Sequence, residues 1–128
     1  HILSAFSTLA IGMEILVDEE KIQIDKILGH GGIFKTPKVG QNLLSAAINS
    51  PVSVMETAGE GGAWGIALLA DYMIHSEQSL VDYLDHVVFA DTDVKTVEPD
   101  IADVAGFKVY LEKYKKGLAV ERAAVETI

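Results

Sequence analysis

Two glycine-rich turns, each directly after a short aliphatic run, constrain the fold of this chain more than any other feature. They lie at residues 29–32 and 59–62. A strand that ends at glycine and leads into a helical pattern is typical of α/β proteins, in which neighbouring strands run parallel and the connections are right-handed. The two turns therefore predict an α/β fold with parallel strands flanked by helices.

The spacing of apolar residues predicts the elements around these turns. Three- and four-residue steps predict four main helices, at residues 2–20, 36–49, 63–75 and from Asp100 onward. Runs of β-branched and aliphatic residues predict strands, at residues 22–29 and 52–55. Thr36 is predicted to cap the second helix, with Pro37 at its first position. Between residues 76 and 99 we expect a short helix at 80–84 and an extended piece at 87–89.

The same periodicity predicts which side chains face the core. The first helix is apolar nearly all round, which is typical of a buried helix. The next two helices have predicted inward residues Val39, Leu43, Ala46, Ala47, Ile66, Leu69, Ala70 and Met73. The last helix carries a predicted inward stripe of Val104, Phe107, Leu111, Tyr114 and Leu118.

Composition narrows the class of protein. A chain of 128 residues suits one domain, and its net charge of −9 argues against a nucleic-acid partner. The absence of cysteine excludes disulfides and thiolate metal sites and is compatible with the cytoplasm. The most apolar stretch, residues 2–17, is too short and too polar to span a membrane. Because the apolar pattern begins at once after His1, we expect a piece of a longer protein whose uncovered apolar surface favours a homo-oligomer.

The first glycine turn could hold an anion. Gly29, Gly31 and Gly32 lie where ligands bind in open α/β sheets, and without Cβ atoms their amides can approach a phosphate closely. Lys35 and Thr36 add a cation and a hydroxyl nearby. A tight turn that requires positive φ explains the glycines equally well. The spacing is that of neither a Walker loop nor a Rossmann fingerprint.

The second glycine turn leads into a helix of small residues. Ala63, Gly65 and Ala67 would let this helix approach a flat ligand or a neighbouring backbone. Close helix packing is the favoured explanation, and Trp64 is expected to be a core or interface anchor rather than a base-stacking residue.

Taken together, the motifs resemble a known family. The sequences are ILGHGGIFKTP at 27–37, PVSVMET at 51–57, EGGAWGIALLA at 60–70 and VEPDIADVAGFKVYLEKYKKG at 97–117. In this order they resemble the C-terminal ATP-binding domain of the FGGY carbohydrate kinases, and xylulokinase-type members most closely. The resemblance covers roughly the whole chain. It implies a partial domain of the ribonuclease H-like, actin-like ATPase fold spanning residues 1–128.

The resemblance also implies roles for particular residues. Gly31 and Gly32 would lie against the ATP phosphates or ribose, and Ile33, Phe34 and Thr36 would line the path toward the adenine. The adjoining wall would be residues 60–65, including Gly62 and Gly65. Ile33 and Phe34 stand where the family has a small residue, so that Phe34 either covers the base or narrows the pocket.

The implied activity is transfer of the γ-phosphoryl group of ATP to a hydroxyl of a pentulose, with xylulose preferred, or of a related polyol. ATP and Mg²⁺ bound through the nucleotide are the implied cofactors. No residue here matches the family's catalytic motif, because the base and most sugar contacts lie upstream, and the sugar would bind through that missing part. We therefore expect no catalytic residue in this chain and no activity from it alone. The alternative is a non-catalytic, actin-like nucleotide-binding or assembly module.

One further cluster could bind a metal ion. Its members are Asp82, Asp85, His86, Asp91 and Asp93. Their oxygens could ligate a hard cation, but the spacing is that of no EF-hand or zinc site. A solvated acidic loop is the favoured interpretation, and no metal site is expected.

Overall fold

The computed structural model describes residues 1–90 and 92–127. Within them the helices are α1 (Ile2–Glu14), α2 (Val39–Ile48), α3 (Gly61–Ile74), α4 (Leu80–Tyr83) and α5 (Ile101–Glu126). The strands are β1 (Ile27–Leu28), β2 (Val52–Met55) and β3 (Val94–Val97). Short 3₁₀ turns lie at Gly32–Phe34 and Glu56–Glu60, and π-helical turns at Ile15–Glu19 and Leu84–Val88.

The three strands form one mixed sheet in the order β1-β2-β3. β1 runs parallel to β2, with Ile27 opposite Val52, which confirms the predicted parallel pair. β3 is antiparallel to β2 and was not predicted. The predicted strand at 22–29 was too long, because Asp25 and Lys26 interrupt the aliphatic run and only the two residues after them pair with β2.

β2 is the centre of this sheet. Val52 and Ser53 have no exposed surface. The Ser53 hydroxyl lies 2.7 Å from that of Thr96 on β3. The buried Gln41 of α2 donates to the carbonyl of Val52 at 3.2 Å and to that of Lys95 at 2.9 Å. One amide group thus ties α2 to two strands, and no buried side-chain nitrogen or oxygen within the described residues lacks a hydrogen-bond partner.

The core joins α1, α2 and α5 to β2. Its buried side chains are Phe6, Ala10, Leu44, Ala46, Val52, Phe107 and Leu111. Phe107 and Leu111 confirm part of the inward stripe predicted for the last helix, whereas Leu118, at the end of that stripe, is 40% exposed. Polar contacts complete the attachment of α5 to α1: Lys115 Nζ donates to Glu14 Oε1 at 2.7 Å, and the hydroxyls of Thr8 and Tyr114 are 3.0 Å apart. The Glu14 carboxylate raises the pKa of Lys115, so this pair persists well above neutral pH.

The predicted burial of α3 was wrong. Its predicted inward residues are exposed: Ile66 by 72%, Leu69 by 56% and Met73 by 80%. No residue of this helix is buried. The contacts of α3 are made instead by its other side, where Tyr72 packs on Tyr83 with ring centroids 5.2 Å apart. In α1 and the π-helical turn after it, Leu9, Ile15, Leu16 and Val17 are at least 40% exposed, which agrees with the uncovered apolar surface expected for this segment.

The predicted start of the last helix at Asp100 is correct, and the predicted start of the second helix at Thr36 is not. Asp100 caps α5, because its carboxylate accepts hydrogen bonds from the amides of Ala102 and Asp103. Thr36 does not cap α2. That helix starts at Val39, itself exposed rather than inward, after Lys38 in a left-handed conformation with φ 66°. Residues 32–34 form a 3₁₀ turn, so the chain reaches a helical conformation only at Val39.

The extended piece predicted at 87–89 was also wrong. Val87 and Val88 lie in a π-helical turn that continues α4, and the amide of Phe89 donates to the carbonyl of Leu84 at 2.8 Å.

In the described part of the chain, no helix has both the length and the apolar character required to cross a bilayer.

Replacing Phe107 by alanine should test the core. Phe107 is 5% exposed, so loss of its ring should lower the free energy of unfolding by about 3–5 kcal/mol, through lost burial and the cavity left behind. Chemical denaturation measures this difference. Val109→Ala is the matched control, because Val109 is 61% exposed on the same helix and should cost about 0.5 kcal/mol or less. Equal losses in the two variants would contradict the packing described here.

Candidate functional site

The two glycine turns meet at one edge of the sheet. β1 and β2 are parallel, so their carboxyl ends point the same way, and each leads directly into one of the turns. Gly29 N donates to Ser53 O at 2.8 Å, which extends the ladder past β1. Gly31 N then donates to Ala58 O at 2.6 Å and joins the first turn to the second. This edge is where ligands bind in open α/β sheets.

Packing and backbone geometry explain three of the glycines. Gly31 has φ 109°, which side chains rarely tolerate. A Cβ on Gly29 would lie 2.6 Å from Cζ of Phe34, and one on Gly61 would lie 2.9 Å from Nδ1 of His30. The tight turn with positive φ expected from the sequence is thus present at Gly31, and side-chain packing accounts for Gly29 and Gly61, so none of the three requires a ligand.

Gly32 is different. It is exposed, its φ is not positive, and no atom lies within 4 Å of the position a Cβ would occupy. Within the described residues, the amides of Gly32 and Ile33 donate to no backbone carbonyl, whereas those of Phe34 and Lys35 donate to Gly31 and Gly32 at 3.1 Å. Two adjacent free N–H groups beside open space are suited to an anion.

A cleft of about 500 Å³ lies beside this turn. Its lining comprises Phe34, Lys35, Pro37, Gln41, Val54, Met55, Glu56, Ala58, Gly59, Glu60 and Lys95. The cleft thus lies beyond the carboxyl end of β2 and between the two turns. Its volume falls within the range of small-molecule sites, about 300–1,000 Å³.

The predicted site residues are distributed unevenly around this cleft. Phe34 lines it and is half-buried, while Ile33 packs against the hydrophobic core. Thr36 is exposed in the turn that precedes α2. Gly62 is exposed and Gly65 half-buried on α3, both with open space at the Cβ position but neither in the cleft lining.

Sequence reasoning missed one cleft residue, Lys95, and one ion pair, between Lys35 and Glu60. Lys95 comes from β3, a strand that no pattern predicted, so its position could not be foreseen. Lys35 was visible as a nearby cation, but not as the partner of Glu60, whose Oε1 lies 2.5 Å from Lys35 Nζ. This ion pair bridges the two glycine turns at the rim of the cleft.

A second and larger cleft, of about 870 Å³, lies at the opposite end of the sheet. It is bordered by residues 21–25 and by Ser50, which precede β1 and β2, and by parts of α1 and α5. Its location separates it from the glycine turns and from every site residue that the sequence indicated.

The acidic stretch contributes structure in the part that is described. Asp82 accepts a hydrogen bond from the Ser79 hydroxyl at 2.6 Å, and Ser79 caps α4. Asp71 accepts from Tyr83 at 2.6 Å, and this bond raises the pKa of the tyrosine hydroxyl, which stays protonated as an anchor. Asp91 lies outside the described residues. Among the described residues, no group of three or more histidine or acidic side chains is arranged to hold a metal ion.

Comparison with known proteins identifies the family. A model of the FGGY family of carbohydrate kinases, C-terminal domain, matches residues 1–74, which is more than half of the chain. This span contains β1, β2, both glycine turns and α1 to α3. The similarity noted at residues 97–117 lies beyond the matched span. No curated protein and no solved structure matches the chain.

The matched span also contains the parallel strand pair and both walls of the cleft that come from the glycine turns. The chain as a whole forms a mixed sheet covered by helices, which is a partial domain of the α/β class. The chain therefore belongs to the FGGY family of carbohydrate kinases, whose C-terminal domain has the actin-like, ribonuclease H-like ATPase fold.

Proposed function

We propose that residues 1–128 are the nucleotide-binding C-terminal segment of a longer, ATP-dependent carbohydrate kinase. The full enzyme would transfer the γ-phosphate of ATP to a hydroxyl of a pentulose, with xylulose preferred, or of a related polyol. The main support is the pair of free amides at Gly32 and Ile33. These residues are not themselves in the cleft lining, but they directly precede Phe34 and Lys35, which line a cleft of small-molecule size at the carboxyl ends of parallel strands. Family membership supports the reaction class.

In this proposal the first turn holds the phosphates. Gly31 provides the bend and Gly32 the open approach, so that a phosphate oxygen can accept from the amides of residues 32 and 33. The ring of Phe34 lies at the cleft wall, where it can contact the base or ribose. Mg²⁺ enters with the nucleotide, since it is held largely through phosphate oxygens.

The chain's own part in the reaction is then binding and orientation. Phosphoryl transfer depends mostly on positioning and on electrostatic stabilisation of the transferred group. We assign the base that accepts the sugar proton, and the sugar contacts, to the part of the enzyme that precedes this segment. The segment alone is accordingly proposed to be inactive, and the enzyme to work in the cytoplasm without a nucleic-acid or membrane partner.

Titration of the full-length protein with ATP, in the presence and absence of candidate sugars, should separate this function from its alternative. We expect ATP turnover that requires a sugar, with xylulose the best of the pentuloses. The alternative, a non-catalytic actin-like module, draws support from the exposed apolar face of α3. ATP binding that no sugar affects, without turnover, would favour the module and count against the kinase.

Gly32→Val should remove nucleotide affinity and leave the fold nearly unchanged. The new side chain would meet no protein atom at its Cβ. It would occupy the open space at residue 32 through which, in this proposal, the phosphate approaches. We expect at least a tenfold rise in the Kd for ATP, equivalent to about 1.4 kcal/mol, measured calorimetrically in the full-length protein.

The matched control is Gly106→Val, which also has open space at the Cβ position but lies on α5 away from the cleft. Circular dichroism should show both variants folded. Unchanged ATP affinity in Gly32→Val would mean that the phosphate site lies elsewhere.

We also propose that the 128-residue chain self-associates, as a homo-oligomer. The apolar exterior of α1 and of the π-helical turn after it carries the argument, with Leu9 exposed by 43% and Ile15 by 51%. Sedimentation velocity should show concentration-dependent association that Ile15→Glu reduces. Val109→Glu, at a similarly exposed position on α5, should have a smaller effect. A single monomeric species at high concentration would contradict this proposal.

A further inference from the structure

The ion pair between Lys35 and Glu60 lines the cleft but is not among the nucleotide contacts proposed above. Lys35 follows the first 3₁₀ turn, and Glu60 ends the second, so the pair closes the gap between the two glycine turns. Both side chains line the cleft and both are largely exposed, by 56% and 72%. The ammonium group of Lys35 is therefore at the rim, within reach of any anion that enters.

Gly59 determines the path of the Lys35 side chain. A Cβ on Gly59 would lie 3.0 Å from Cγ and 3.3 Å from Cε of Lys35, so the aliphatic stem runs directly over this glycine. The φ of Gly59 is not positive, and a tight turn does not explain the residue type here. Absence of a side chain at residue 59 is what lets the stem lie flat and direct Nζ across the rim.

Charges around the cleft are balanced in this arrangement. Lys35 and Lys95 contribute two positive charges, and Glu56 and Glu60 contribute two negative ones. Lys95 is in no ion pair within the described residues, whereas Lys35 becomes available to a polyphosphate only if it leaves Glu60. Exposed ion pairs stabilise a protein by only about 0.2–1 kcal/mol, so the exchange costs little. A polyphosphate carries several charges and accepts charge-assisted hydrogen bonds, which favours it over a single carboxylate.

We propose that Lys35 binds the polyphosphate and that Glu60 holds its ammonium group at the rim until the nucleotide arrives. The phosphate then takes the place of Glu60 as the partner of Lys35. Lys35 in this way selects phosphorylated nucleotides over the free nucleoside, while Glu60 weakens their binding by competition. This inference rests on the proposed nucleotide-binding function.

Calorimetric titration of the full-length protein with ATP and with adenosine tests the exchange. Lys35→Met should weaken ATP binding about tenfold, the loss expected for a hydrogen bond to a charged group, and change adenosine binding less than about twofold. Glu60→Gln should strengthen ATP binding by about two- to fivefold, because it removes the competing carboxylate. The double variant should bind ATP as Lys35→Met does, since Glu60 acts only through Lys35.

Two further variants serve as controls. Lys38→Met removes an exposed cation three residues away that does not line the cleft, and should leave the preference for ATP over adenosine unchanged. Gly59→Ala keeps every charge but displaces the Lys35 stem, so it should reproduce part of the loss seen in Lys35→Met.

The outcomes separate this inference from the function on which it rests. If the wild-type protein binds no ATP, the proposed function fails and the exchange with it. If it binds ATP and Gly32→Val weakens that binding, but Lys35→Met does not, the function stands and the exchange is wrong. Equal losses of ATP and adenosine affinity in Lys35→Met would also overturn it, because they would indicate a general change in the cleft rather than a phosphate contact.

Discussion

Parallel pairing between β1 and β2 is the constraint on which the site depends. β1 pairs through only two residues, yet the ladder continues past its end because Gly29 donates to Ser53. The next bond, from Gly31 to Ala58, connects loops that are almost thirty residues apart in the sequence. These contacts are made to β2, a buried strand, or to the turn that follows it. Gln41 of α2 fixes β2 further, because it donates hydrogen bonds both to β2 and to β3. Without the β2 register, the two turns would share neither an edge nor a cleft.

The glycines of this edge divide into two groups with different physical causes. Some are required by the protein itself: Gly31 by its positive φ, and Gly29 by the ring of Phe34. Others face open space, as Gly32 does, and their lack of a side chain has no explanation in packing. Gly59 belongs to the first group but for an unusual reason, since its neighbour is the stem of a charged side chain at the cleft rim.

The family match covers only part of the residues that form the core. The match ends at residue 74, whereas the core depends on Phe107 and Leu111 of α5. This long helix packs on α1 and α2 and is further attached through Lys115 and Glu14. The C-terminal third thus completes the core beneath the matched region. α3, in contrast, lies inside the matched region and has an exposed apolar face. A helix that belongs to the family's domain is therefore not necessarily buried within this chain.

The sequence by itself determined the elements whose signals are local. β2 was predicted with its observed bounds, the helix start at Asp100 and the inward positions of Phe107 and Leu111 are confirmed, and the glycine turns identified the family that the match confirms. These features depend on spacing, capping and backbone freedom within a few residues. Tertiary structure alone decided the antiparallel β3 and the exposure of α3. It also brought Lys35, Glu60 and Lys95 to one cleft, because each of these outcomes depends on contacts between residues far apart in the chain.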